Sequence, residues 1–226
     1  MSQEFIEFIS KHYFLVIYGI TWFFSVANYK KYFDTVLKYF PILIAYTFLN
    51  ELLGTLVLLE EFALFAKYSA KNALVYNIYS IIFFPYFFFV YWKLIENSYY
   101  KNWIKYLALT TILSVLINSS FTNPLIEPLY FTIVYASIIL VICITFHALD
   151  KKNKGSWNFE KYNLIRWIST GLIVFYTIFP IIFLINFFNK YLWIKYNLGA
   201  FQKILIVIMY VLFCIGFSIS RRRSFR

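Results

Sequence analysis

Glycine and proline are scarce in this chain, six and five residues among 226, and cysteine, methionine and histidine number two each. So little glycine leaves no material for a phosphate-cradling loop or a dinucleotide fingerprint, and no seryl nucleophile elbow is present. Cys143 and Cys214 both fall inside apolar runs, which excludes a disulfide framework and a thiolate metal site; a free cysteine there is a small hydrophobe. His147 and Asp150 share a helical face at a spacing of three. A metal needs three or four ligands, and no second histidine or carboxylate cluster lies nearby in sequence. The plain reading is that Asp150 partners His147 near a membrane surface. No metal, cofactor or catalytic group is assigned, and an enzymatic role is the less favoured reading.

Charge is the other scarcity. Only 14% of residues are Asp, Glu, Lys or Arg, whereas 62% are hydrophobic and 24% aromatic, and the mean hydropathy is +0.70. A soluble domain of this size has more surface than so few charges can cover, so the composition places the chain in a membrane. The net charge of +11 does not imply nucleic acid, because phosphate recognition needs a solvated basic face. Here the cations stand in short linkers between apolar runs, where retention on the cytoplasmic side explains them.

A helix rising 1.5 Å per residue needs about 20 residues to cross a hydrocarbon core of roughly 30 Å. Seven runs approach that length: Tyr13–Asn28, Tyr39–Leu59, Ala73–Trp92, Trp103–Phe121, Pro128–Leu149, Leu164–Phe188 and Leu198–Ser220. They are continuous rather than alternating, which favours helices that satisfy their own backbone over a barrel. The expectation is one all-α integral membrane domain over residues 1–226, a bundle of seven transmembrane helices. Glu4 and Glu7 precede the first run without a small-residue cleavage site after it, so that run is expected to be a retained span. Heavy use of Phe, Tyr, Ile, Lys and Asn suggests an AT-rich bacterial genome, hence a multi-pass protein of the inner cell membrane.

Orientation follows the lysines and arginines. Fifteen fall on one side: Lys30, Lys31, Lys38, Lys93, Lys101, Lys105, Lys151, Lys152, Lys154, Lys161, Arg166, Arg221, Arg222, Arg223 and Arg226. Six fall on the other: Lys11, Lys67, Lys71, Lys190, Lys195 and Lys203. The larger set belongs in the cytoplasm, which puts the N-terminus outside and the C-terminus inside.

The residues that could carry function are the polar ones within the runs. Glu51 stands alone as a charge in Tyr39–Leu59. An acidic group at the centre of a bilayer costs about 2.5 to 3.5 kcal/mol even on the smaller scales, so it should face other helices. Thr47, Glu51 and Thr55, spaced by four, line one helical face; Asn50 flanks it, and Gly54 permits close approach of a neighbour. The third run opens with Tyr76, Asn77, Tyr79 and Ser80 and contains Pro85. Ser80 and Glu51 lie at matching depth, about 12 Å at 1.5 Å per residue. Glu51 is therefore expected near Asn77 or Ser80. Thr111, Ser114 and Asn118 make a stripe on the fourth run, with Thr110 beside it, and Thr132, Tyr135, Tyr176 and Thr177 could complete a polar chamber in the outer half. Each hydroxyl read alone is interhelical glue. The candidate ligand-binding set is Glu51, Asn50, Asn77, Ser80, Ser114, Asn118 and Tyr135.

Two passages carry a resemblance: Asn77-Ile78-Tyr79-Ser80-Ile81-Ile82, and Trp167-Ile168-Ser169-Thr170-Gly171. With the overall layout they resemble small seven-span bacterial integral membrane proteins, a group with no established activity to carry over. In that group an acidic residue often follows the Asn-Ile-Tyr element; this chain has Phe83 and Phe84 there. The favoured expectation is a binding, sensing or accessory membrane protein whose partners are the lipid bilayer and either other membrane subunits or a small molecule or lipid. The alternative is a small transporter or channel that uses Glu51 as its coupling or coordinating group. Internal repeats, common in transporters, are absent.

Overall fold

The structure, a computed structural model, describes residues 13–56, 73–153 and 163–222. The expected span end at Leu59, the acidic Glu4 and Glu7, and Lys11, Lys67, Lys71, Lys154, Lys161, Arg223 and Arg226 lie outside the described residues. Among these residues the chain is helical and has no strand. The helices are α1 (Tyr13–Ala27), α2 (Phe40–Leu56), α3 (Ala73–Leu94), α4 (Ser98–Phe121), α5 (Tyr130–Asn153), α6 (Leu164–Phe188), α7 (Lys190–Lys195) and α8 (Leu198–Ile219), with a 3-10 turn at Tyr29–Lys31. Five of them, α3, α4, α5, α6 and α8, are long and apolar enough to cross a membrane; α1 and α2 are apolar but shorter, at 15 and 17 residues.

Asparagines set several of the starts. The side chain of Asn97 accepts from Tyr99 N at the head of α4, that of Asn163 from Ile165 N at α6, and that of Asn189 from Leu192 N at α7. Each satisfies one of the amides that a helix N-terminus leaves without an internal partner. The Asn97 cap places the start of α4 five residues before the run expected from Trp103, because Ser98–Asn102 are polar but helical. The tail of α5 likewise continues past Leu149 to Asn153. Between α7 and α8, Asn197 takes the left-handed conformation (φ 47°) and turns the chain back into the bundle. Asparagine tolerates that region better than most residues.

Six long helices close a ring in the order α1, α2, α3, α5, α6, α8, each packed on the next and α8 back on α1. Helix α4 stands outside the ring against α5 and α3. It buries only Ile104, Thr111 and Asn118, while Leu109, Ile112, Leu113, Leu116, Ile117 and Phe121 stay exposed. Large apolar side chains on the outer surface of every long helix suit a lipid solvent and would be a liability in water. The α6–α8 seam is tight. A Cβ added at Gly216 would stand 2.7 Å from Trp167 Cβ, and one at Gly171 would stand 2.9 Å from the Phe213 ring. Without a water-driven attraction between helices in lipid, such small-residue contacts supply the packing.

At one end of the ring the α1–α2 connection is tied to the tail of α8. Lys31 donates to the carbonyls of Phe217 and Ser218 at 3.1 and 3.2 Å, and Arg222 pairs with Asp34 at 3.0 Å. A cation on the last carbonyls of a helix also meets the negative end of its dipole. At the same end Asp150 accepts from the amides of Glu96 and Asn97 at 3.1 and 3.2 Å, which fixes the α3–α4 turn to α5. This differs from the expected His147–Asp150 pair. His147 instead lies against the Tyr91 ring at 5.8 Å, and its Nε2 has no hydrogen-bond partner. The turn amides outcompete the imidazole because they present two donors to the two carboxylate oxygens.

Candidate functional site

Helix α2 carries Thr47, Glu51 and Thr55 on one face, and that face points into the ring. Thr47 and Thr55 are buried, and each bonds the carbonyl four residues back, Leu43 and Glu51. Glu51 is half-buried and lines a cavity of about 390 Å³. Its Oε2 accepts a hydrogen bond from Tyr76 Oη of α3 at 3.1 Å. Tyr76 is one turn from Ser80, and Ser80 lines the same cavity.

The cavity is walled largely by aromatic rings from four helices of the ring, Tyr18 of α1, Tyr76 and Tyr79 of α3, Phe175 and Tyr176 of α6, and Tyr210 of α8, and α2 adds Glu51. Tyr18 meets Tyr210 edge to face at 4.6 Å, and Tyr79 packs on Phe83, which packs on Tyr176. Tyr79 also shares a 3.3 Å hydrogen bond with Thr47. Trp193, brought in by the short α7, and Gln202 and Lys203 of α8 line one end. The Lys203 ammonium lies 5.1 Å from the centre of the Phe14 ring. Glu51 and Lys203 thus line one space whose other walls are mostly aromatic, with Ser80, Gln202, Ile133, Ile206 and Met209 among them. Such a space can hold a small ligand by charge-assisted hydrogen bonds and by cation–π contact.

The other expected site residues lie elsewhere. Asn77, 2% exposed, spends its side chain on the α4–α5 loop: Nδ2 donates to the carbonyls of Pro124 and Glu127 at 2.7 and 3.0 Å, and Leu129 N donates to Oδ1 at 3.0 Å. It is a clasp between α3 and that loop, and the hydroxyl that reaches Glu51 belongs to its neighbour, Tyr76. Asn50 is buried on α2 with no partner for its Nδ2, and it does not line the Glu51 cavity. Ser114 and Asn118 belong to a seam between α4 and α5. Thr132 donates to the Ser114 carbonyl at 3.0 Å, Asn118 Nδ2 donates to Thr132 Oγ1 at 3.3 Å, and Tyr135 donates to Thr110 at 2.9 Å on the outer surface. The anticipated single chamber is therefore two regions. Glu51, Ser80 and Tyr176 share the ring interior, whereas Ser114, Asn118 and Tyr135 join α4 to the outside of the ring, and Thr177 faces outward.

Tyr18, Tyr210, Trp193, Gln202 and Lys203 complete the cavity without having been singled out from sequence. Only the recurrence of tyrosine within otherwise apolar runs marked the first two, since a phenol in lipid seeks a partner. No group of three or more His, Cys, Asp or Glu side chains is positioned to hold a metal among the described residues. No protein-family model matches the chain, and neither a curated protein nor a solved structure shows significant similarity to it.

Proposed function

We propose that this chain is a multi-pass protein of a bacterial inner membrane that binds a small organic cation in the cavity beside Glu51. In this reading it serves as a binding, sensing or accessory component. The observation that carries the reading is the Glu51 carboxylate, held by Tyr76 at 3.1 Å and open to a tyrosine-walled cavity of about 390 Å³. A carboxylate with surrounding ring faces is the chemistry that recognises ammonium groups. The proposed topology has seven spans, with α1 and α2 joining the five longer helices, the N-terminus outside and the C-terminus cytoplasmic. Its basis is the partition of fifteen basic residues against six.

Binding is tested on the purified protein in detergent by thermal unfolding against tetramethylammonium, choline and ethanolamine, with 3,3-dimethylbutanol as the neutral isostere of choline. The cations are expected to raise the melting temperature in a saturable way, and Glu51→Gln is expected to weaken that effect at least tenfold. Equal stabilisation by the neutral isostere, or an unchanged response in Glu51→Gln, would overturn the reading. Topology is tested by labelling single cysteines placed at Ser2, Ser119 and Ser224; reaction of the Ser119 position from the cytoplasm alone would sink it.

A second reading, a small transporter coupled through Glu51, is supported by Glu51 and Lys203 facing one cavity and by proline within both α3 and α6. Paired intramembrane charges and interrupted helices are common in such proteins. Uptake of the same cations into proteoliposomes, abolished by Glu51→Gln while binding by the folded protein is retained in part, would separate transport from binding.

A further inference from the structure

A second site is built on the outside of the ring, at the opposite end from Glu51. The last turn of α3 carries Trp92 and Lys93, and the first two turns of α4 carry Lys101 and Lys105. The ammonium groups of all three lysines converge on one indole, at 5.0, 5.6 and 5.5 Å from the Trp92 ring centre for Lys93, Lys101 and Lys105. Each cation is attracted to the ring face, yet three like charges around one indole repel one another. An anion among them removes the conflict. The Trp92 Nε1–H is buried and has no acceptor, so the cluster also contains an unsatisfied donor.

From this cluster an apolar groove of about 340 Å³ runs between α3, α4 and α5. Trp92, Phe89 and Lys105 line its charged end, Pro85 and Ala108 its middle, and Ser80 and Thr132 its far end. Trp92 and Ser80 are separated by twelve residues of α3, about 18 Å at 1.5 Å per residue. That depth is close to half of a hydrocarbon core of roughly 30 Å, the reach of an acyl chain within one leaflet. Pro85 and Ala108 leave the groove open where longer side chains would fill it. Basic pockets between helices at one membrane surface are the places where acidic headgroups dock.

We infer that this groove binds one molecule of an anionic glycerophospholipid, its phosphate among Lys93, Lys101 and Lys105 and one acyl chain along the groove towards Ser80. The two halves of the site specify the two halves of the ligand. The lysines select negative charge, so a zwitterionic lipid of equal chain length binds less tightly. The groove selects a chain, so a free phosphate ester lacks most of the contact. Lys93 and Lys105 are exposed and Lys101 is half-buried, so their replacement by glutamine alters the charge without opening the core.

The test is native mass spectrometry of the detergent-purified protein, followed by titration with dioleoylphosphatidylglycerol, dioleoylphosphatidylcholine and glycerol 1-phosphate, with binding read from melting temperature. One retained anionic phospholipid per chain is expected, with saturable stabilisation by phosphatidylglycerol at concentrations at least tenfold below those needed for phosphatidylcholine. The triple variant Lys93→Gln, Lys101→Gln, Lys105→Gln should lose that preference while keeping its unliganded melting temperature. Ala108→Trp, which fills the groove and leaves the lysines in place, should also weaken phosphatidylglycerol binding. Equal affinity for the two lipids, an undiminished preference in the triple variant, or stabilisation by glycerol 1-phosphate at the same concentration as the lipid would each overturn the inference, the last by reducing the site to one for simple anions.

Discussion

Replacing Asn77 tests whether the α3 polar element is a clasp or a ligand contact. Asn77 makes three hydrogen bonds to the α4–α5 loop, at 2.7, 3.0 and 3.0 Å, and is 2% exposed. A hydrogen bond of this kind contributes about 1 kcal/mol net, and a buried donor left without its acceptor costs about 1 to 3 kcal/mol. Leu129 is 2% exposed, so its amide falls in the second class, whereas Glu127 is an exposed residue. Asn77→Leu, which keeps the volume, should therefore destabilise the fold by about 3 kcal/mol, roughly a hundredfold in the folding equilibrium. Asn77→Asp is the sharper variant. It retains an acceptor for Leu129 N but turns a second oxygen towards the Pro124 and Glu127 carbonyls, so it should be at least as damaging near neutral pH. The assay is equilibrium unfolding in mixed sodium dodecyl sulfate and dodecyl maltoside micelles, with amide hydrogen exchange of segment 122–130 as the local readout. Faster exchange there, with α6 and α8 still protected, would show the loop released from α3. A change below about 0.5 kcal/mol with unaltered exchange would refute the clasp, since three such bonds cannot be lost at so small a cost.

Gly216→Ala should cost about 1 to 3 kcal/mol by overpacking, because its new methyl would meet Trp167 Cβ at 2.7 Å, whereas Gly19→Ala, whose nearest neighbour would stand at 3.9 Å, should be nearly neutral in the same unfolding assay. Asp150→Ala should destabilise by about 2 to 4 kcal/mol, since the carboxylate accepts two amides of the α3–α4 turn and bonds to charged groups exceed neutral ones; exchange at residues 95–99 should rise with it. Glu51→Leu should lower the melting temperature by removing the carboxylate that accepts the Tyr76 hydrogen bond, while Glu51→Gln, which keeps an acceptor oxygen at that position, should fold close to normally; equal melting temperatures for the two variants would show the contact to be energetically idle.

Composition and local pattern were enough to place this chain among helical membrane proteins. Long continuous apolar runs have one stable arrangement in lipid, a helix that closes its own backbone bonds, and five of the expected runs form helices long enough to cross. The inward turn of the α2 polar face was legible too. Residues spaced by four share a face, and a carboxylate on a greasy helix has a large penalty to avoid. Boundaries were less legible where polar residues continue a helix beyond its apolar part, as Ser98–Asn102 do in α4. Which groups meet was decided only by the tertiary arrangement. Periodicity says which side of a helix a residue occupies but not which helix stands opposite. Depth matching put Asn77 or Ser80 near Glu51; Ser80 shares its cavity, yet packing turned Asn77 towards a loop some fifty residues away and left the hydrogen bond to Tyr76. The closure of six helices into a ring brought Tyr18, Tyr176 and Tyr210 around one carboxylate, and left α4 outside with Ser114 and Asn118. Side-chain volume sets the fit of the seams as well: at Gly171 and Gly216 a single methyl group decides how closely α6 and α8 approach.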